Sequence, residues 1–133
     1  MGPLNGFKIT ELAGIGPEPF CGMMLADMGA EMIRAERIGV AQATQAPKDV
    51  HTSSRRSIAV DLKSPEWVET VLRLGEKADG LIEGFRPGVT ERLGLGPEHC
   101  QGRNPRLVYG RMSAGGKNVP WLRLHVTAST TSL

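Results

Sequence analysis

The sequence predicts an α/β fold, a parallel sheet with helices on both faces. Three observations predict it. A strand, a glycine-rich break, a helix and a second strand open the chain, a second helix start lies between two short apolar runs, and a further helix separates the last two such runs. Phe7-Lys8-Ile9-Thr10-Glu11-Leu12 alternates loosely, as a strand does. Ala13 to Pro19 breaks it, because glycine and proline punctuate regular structure. Phe20 to Met28 has helical spacing, with Met24, Leu25 and Met28 on one face and Gly29 as the C-terminal stop. Glu31 to Glu36 follows as the second strand. Arg37 to Ser57 is poor in large apolar residues and rich in Ala, Gln, Thr and Ser, so it reads as a long loop. Ile58 to Leu62 is a short strand. Ser64-Pro65-Glu66 starts a helix, with Ser at the N-cap and Pro at the first helical position, and Trp67, Val71 and Leu74 carry its period to about Lys77. Gly80 to Glu83 and Arg106 to Met112 are strands flanking a short helix from Pro97. Right-handed crossovers then give a Rossmann-like sheet.

The totals bound the function. The chain has 133 residues, enough for one domain. Hydrophobic residues make up 40% and charged residues 23%, with a net charge of +2, so composition offers no case for nucleic acid or an anionic membrane. Cys21 and Cys100 lack paired or metal-ligand spacing, which argues against a disulfide framework or a zinc site. No stretch approaches the length of a membrane span and no charged-then-apolar leader opens the chain. The expected location is cytoplasmic, with no metal.

The loop Gly14-Ile15-Gly16 has two readings. It follows a strand, opens a helix and precedes Glu36 by about 20 residues, as a dinucleotide-binding fingerprint requires. Against a nicotinamide cofactor, the third glycine position holds Pro19, and that glycine exists to let helix and strand approach closely. A purely structural turn explains the same residues. Arg37, just past the second strand, lies where α/β sheets bind ligands and suits a phosphate, or it is a solvated surface arginine.

Several runs together carry a family resemblance: Ile9 to Pro17, Leu25-Ala26-Asp27-Met28-Gly29-Ala30, Val60-Asp61-Leu62-Lys63, and Leu81-Ile82-Glu83-Gly84-Phe85-Arg86-Pro87-Gly88. Leu93-Gly94-Leu95-Gly96-Pro97 and Asn104-Pro105-Arg106-Leu107-Val108-Tyr109 complete the series. In this order they resemble the N-terminal part of the family III CoA-transferases, over about Leu4 to Ser113, most specifically in Phe85-Arg86-Pro87-Gly88-Val89 and most closely in the branch that epimerises 2-methylacyl-CoA. The resemblance implies an incomplete Rossmann-like domain over residues 1–113, an interlocked homodimer, and an acyl-CoA substrate bound without a metal or a separate cofactor. It implies that Arg37 meets the adenosine phosphate end of CoA. Ala59, Val60, Asp61, Leu62 and Lys63 would line the adenine pocket, Arg86 and Arg92 would hold phosphates, and Ile15 would lie near the thioester. Arginines give strong charge-assisted bonds to phosphates, so the assignment is physically sensible. Glu83 reads as the ion partner of an arginine in preference to a ligand group. Two departures stand out. Glu18 replaces the glycine usual between the two prolines and puts a negative charge near the pocket entrance, and Glu36 replaces the aspartate before Arg37.

Epimerisation needs an acid/base group on each side of the carbon beside the thioester, and donors for the enolate oxygen. The resemblance assigns the first task to a His and an Asp beyond a Gly-Trp-Gly-Gln turn that follows Arg111-Met112-Ser113. Here no acidic residue follows Met112, and His125, the one histidine downstream, has no matching flanks. Residues 114–133 read as an aberrant, unstructured tail: with suitable codons, a frame shifted by one base at Ser113 restores that turn and a His-x-Ile-Asn-Tyr string. The expectation is a frameshifted frame, and the nucleotide sequence downstream of Ser113 decides it. The chain is therefore expected to bind CoA at most and to be inactive alone. Competing readings are a non-catalytic or misfolded fragment of a CoA-transferase, and an NAD-binding Rossmann domain.

Overall fold

The computed structural model describes residues 2–12, 17–38, 56–61, 63–86 and 88–112. The tail from 113 and most of the long loop therefore lie outside the described residues. The elements are β1 (Lys8–Leu12), α1 (Pro17–Asp27), β2 (Glu31–Arg37), β3 (Arg56–Val60), α2 (Pro65–Glu76), β4 (Gly80–Glu83), α3 (Val89–Leu93), α4 (Pro97–Arg103) and β5 (Val108–Arg111). The five strands form one sheet in the order β3-β2-β1-β4-β5, and every pairing is parallel. The chain winds outward first to one side of β1 and then to the other. Right-handed crossovers therefore put α1 on one face and α2 and α4 on the opposite face.

Strand alternation sorts the side chains between these faces. Leu12, Ala35, Val60, Leu81 and Tyr109 join Val71, Leu72, Leu95, Cys100 and Leu107 in the main core under α2 and α4, with Trp67 and Val68 packed against it. On the other face Met32, Ala26 and Ala30 form a smaller cluster with Ile9, Leu25 and Ile82 beneath α1. Phe20, Met24 and Val108 on this thinner side are about half-exposed or more.

The helix ends follow local chemistry. α1 begins three residues before the predicted start, because prolines that would break a helix interior are tolerated in its first turn, where the N–H groups have no partner to lose. It ends at Gly29, with φ 99°, where the N–H groups of Gly29 and Ala30 bond back to the Ala26 and Leu25 carbonyls at 2.9 and 3.1 Å. α2 starts at Pro65 as expected, although Ser64 makes no side-chain cap bond. Its last carbonyls are met by Asn104, whose Nδ2 donates to Gly75 O at 3.0 Å and Glu76 O at 3.4 Å, and also to Ala78 O beyond the helix end at 2.9 Å. Arg103 adds a fork to Glu69 at 2.6 Å and holds that carboxyl below its usual range through this hydrogen bond. The pair is exposed and contributes little.

β3 runs two residues earlier than expected, because its ladder with β2 is in register from Ile33↔Arg56 to Arg37↔Val60, after which Asp61 turns the chain by accepting the Lys63 N–H at 3.1 Å. α3 was not predicted. Among the described residues no helix is long and apolar enough to cross a membrane.

One core carbonyl couples the fold to pH. Leu95 O accepts the Tyr109 hydroxyl at 2.9 Å and the Cys100 thiol at 3.4 Å. Burial pushes the thiol from its ordinary 9.0 up to about 11 and raises the phenol as well. Both raised groups are neutral donors in the folded chain. The thiol's contribution is complete below its unfolded 9.0 and is lost as pH rises through about 11, while the phenol loses its own at higher pH. The urea midpoint of unfolding is expected to hold up to pH 9.0 and to fall between there and about 11, whereas a midpoint unchanged across that window would contradict the assignment.

Candidate functional site

A cleft of about 510 Å³ opens at the carboxyl ends of the strands, lined by Arg37, Ile38, Asp61, Lys63, Val89, Arg92 and Leu93. Parallel sheets place ligand sites at this end, outside the strand tips. Arg37 is the last residue of β2, on the face that carries α2, and is exposed. The β2–β3 pairing continues one step past the strands, with Ile38 N–H donating to Val60 O at 3.0 Å, and this sets Arg37 beside the turn at Asp61. That turn holds Asp61 Oδ1 on the Lys63 backbone and leaves the Lys63 ammonium on the cleft wall.

The opposite wall is α3. Val89 and Leu93 are four residues apart and share a helix face, and Arg92 projects beside them. Gly88 precedes α3 with φ 84°, a left-handed conformation that a side chain would strain. The Arg92 Nε–H donates to Gly88 O at 3.2 Å and aims the guanidinium along the start of its own helix. The cleft thus collects three cationic side chains and one carboxylate between apolar walls. That is a chemistry for binding a flat apolar group joined to anions. Among the described residues no group of three His, Cys, Asp or Glu could hold a metal ion.

The structure brings Arg37, Asp61, Lys63 and Arg92 together across 55 residues of chain. It does not bring Ala59 and Val60 with them. Strand alternation turns Ala59, which is paired with Glu36, onto the α1 face, and puts Val60 wholly in the main core. Arg86 is exposed on the loop after β4 but does not line the cleft. Ile15 and Leu62 lie outside the described residues, as do Gly14 and Gly16. Pro19, the residue at the third position of the dinucleotide fingerprint, sits in the first turn of α1.

Glu18 differs from expectation. It is buried rather than solvated, with its Cβ close enough to Gly84 that a Cβ added there would meet it at 2.9 Å. It lines a separate, mostly apolar cavity of about 150 Å³ with Cys21, Ile82, Glu83, Gly110, Arg111 and Met112. Glu36 pairs with Arg34 at 2.9 Å, and Arg34 also reaches the fully buried Glu11 at 3.3 Å.

Glu83, the last residue of β4, takes the ion-pair role. Its Oε1 accepts Arg111 Nε–H at 2.7 Å and its Oε2 accepts the Phe85 N–H at 2.8 Å. Arg111 Nη2 donates to Thr90 Oγ1 at 2.8 Å and also to Glu91, and its guanidinium lies 5.7 Å from the Tyr109 ring centroid. Burial works to raise Glu91, but the hydrogen bonds from Arg111, from its own backbone N–H and from Thr90, together with the Arg111 charge, outweigh it and hold the carboxyl below its usual range, while Arg111 itself is raised. Sequence reasoning missed Thr90 and Arg111, because neither their spacing nor their flanks mark a contact 21 residues apart. It also missed the apolar walls, for which the spacing of Val89 and Leu93 was the available signal.

Comparison with known proteins supplies the context for this cleft. The model of CoA-transferase family III matches residues 4–125. Mouse alpha-methylacyl-CoA racemase is 44% identical over 115 residues, which cover 86% of this chain and 29% of that protein. The probable fatty acyl-CoA transferase of Mycobacterium tuberculosis is 35% identical over 130 residues, covering 89% of this chain and 33% of that one. Its crystal structure superposes with a TM-score of 0.80 at 36% identity, over 90% of this chain and 36% of the other. A CAIB/BAIF family protein from Brucella suis superposes with a TM-score of 0.77 at 32% identity, over 91% and 36% of the two chains. The chain spans about a third of the length of the curated relatives it matches.

Proposed function

Because the chain belongs to CoA-transferase family III, we propose that it is the CoA-binding N-terminal portion of an acyl-CoA racemase. The observation that carries this reading is the meeting of Arg37, Lys63 and Arg92 around one cleft at the carboxyl ends of the strands. CoA presents several phosphate charges attached to a nucleoside. Guanidinium forks and an ammonium match the former, and the Ile38, Val89 and Leu93 walls suit the flat base. Arg86, exposed on the loop after β4, is the further phosphate partner that the family resemblance assigns, and the same resemblance assigns Ile15 to the thioester.

The racemase reading is favoured over the transferase reading by the identities, 44% against 35%. On this reading proton removal and return fall to groups other than these 133 residues, since no Asp or Glu follows Met112 and, among the described residues, no histidine lines the cleft.

Calorimetric titration of the whole chain tests the proposal. CoA is expected to bind, Arg37→Ala and Arg92→Ala each to weaken it by about tenfold to a hundredfold, and NAD to bind more weakly than CoA. CoA binding that ignores both substitutions, or NAD binding tighter than CoA, would overturn it. In deuterated water the chain alone is expected to leave the α-proton of 2-methylacyl-CoA unexchanged. Rapid exchange would place the proton-transfer groups within these residues after all.

A further inference from the structure

α3 is five residues long, and a helix of that length has no stability of its own in water. Gly88 at its start offers no side-chain cap. Yet α3 carries Val89, Arg92 and Leu93, which make one wall of the cleft. Something outside the helix must hold it.

Leu93 packs against the main core, and the polar holding contact is on the side away from Arg92. Thr90 is 1% exposed and faces the sheet, two positions and so roughly half a turn from Arg92. Its Oγ1 accepts Arg111 Nη2–H at 2.8 Å, and its own proton goes to Glu91 Oε2 at 3.2 Å, with Glu83 Oε1 at 3.5 Å. Arg111 is fixed in turn by Glu83 at the end of β4, and Glu83 also secures the Phe85 N–H at the root of the Arg86 loop. The backbone repeats the link, since Met112 N–H donates to Glu83 O at 2.9 Å. One polar network therefore joins the tips of the two strands farthest from Arg37 to the helix that faces Arg37.

We propose that Glu83, Thr90 and Arg111 are positioning residues that orient α3, and through it Arg92, toward the phosphates of the bound nucleotide. This rests on the reading that the cleft takes CoA. None of the three lines that cleft, so Thr90 and Arg111 act on it through the helix, and Glu83 acts through the helix and the root of the Arg86 loop.

The test is a double-mutant cycle on the whole chain, titrated with CoA, with thermal unfolding followed in each variant. Thr90→Val removes the hydroxyl at almost constant shape and is expected to weaken CoA binding by about tenfold, while Thr90→Ser keeps the wild-type affinity. In the Arg92→Ala background, Thr90→Val is expected to add almost no further loss, because the group it positions is gone. A general loosening of the fold would instead multiply the two losses, and that result, or wild-type affinity in Thr90→Val, overturns the proposal. If Thr90→Val does not fold, Arg111→Lys replaces it. It keeps the charge beside Glu83, removes the fork that reaches Thr90, and is expected to show the same non-additivity with Arg92→Ala. A wild-type chain that does not bind CoA refutes the site reading itself, and is recognised before any variant is made.

Discussion

Leu81→Ala is expected to destabilise the chain by about 3 kcal/mol, a large share of the stability of a domain this size. Leu81 is fully buried in the middle of β4, paired to Thr10 on one side and Tyr109 on the other, and it faces the main core under α2 and α4. The substitution removes three carbons from a site walled by strands on both sides. The backbone cannot collapse into the space, so a cavity cost adds to the lost transfer energy. Urea unfolding reads the effect as a lower midpoint at unchanged slope. Val108→Ala on β5 is the comparison: at 61% exposure its loss is expected to stay within about 0.5 kcal/mol. Similar losses at the two positions would mean that the core is not where the sheet places it.

Glu83→Ala is expected to cost about 3 kcal/mol for a different reason. The carboxylate is 1% exposed and satisfies three groups at once: the Arg111 guanidinium, the Phe85 N–H and, at longer range, the Thr90 hydroxyl. Removing one member of a buried pair leaves the other charge desolvated and unpaired, which costs more than the intact pair contributes. Arg111 is 21% exposed and keeps Glu91, so the loss belongs at the lower end of what a fully buried pair shows. Glu91→Ala, whose carboxylate is 44% exposed, is expected to cost under about 1 kcal/mol. A Glu83→Ala loss as small as that of Glu91→Ala would show that the β4 carboxylate is not the centre of the network. The same unfolding titration measures both.

Some elements were legible because their signals are local. β4 has the predicted bounds, since Gly80 and the run Leu81-Ile82-Glu83 mark both ends. α2 begins at Pro65, and Gly29 ends the first helical segment, because a proline at the first helical position and a left-handed glycine act through their own backbone. α3 was illegible for the converse reason. Its sequence Val89-Thr90-Glu91-Arg92-Leu93 is too short to display a period, and what keeps it helical is a hydroxyl bonded to Arg111 on a distant strand. Pro17 and Pro19 misled because the same residue type breaks a helix interior and suits its first turn.

The site divides along the same line. The family resemblance marked Arg37, Asp61, Lys63 and Arg92 for a nucleotide site, with residue chemistry pointing to a phosphate at Arg37 alone, and apolar patterning determined a parallel α/β sheet, because both depend on short-range order in the chain. Which of the marked residues share a cleft was decided in three dimensions. Crossover handedness set α2 and α3 on the Arg37 side, strand alternation turned Ala59 onto the α1 face and Val60 into the main core, and a buried carboxylate at the tip of β4 fixed the wall that bears Arg92. Those outcomes depend on contacts between residues far apart in sequence, and no local pattern encodes them.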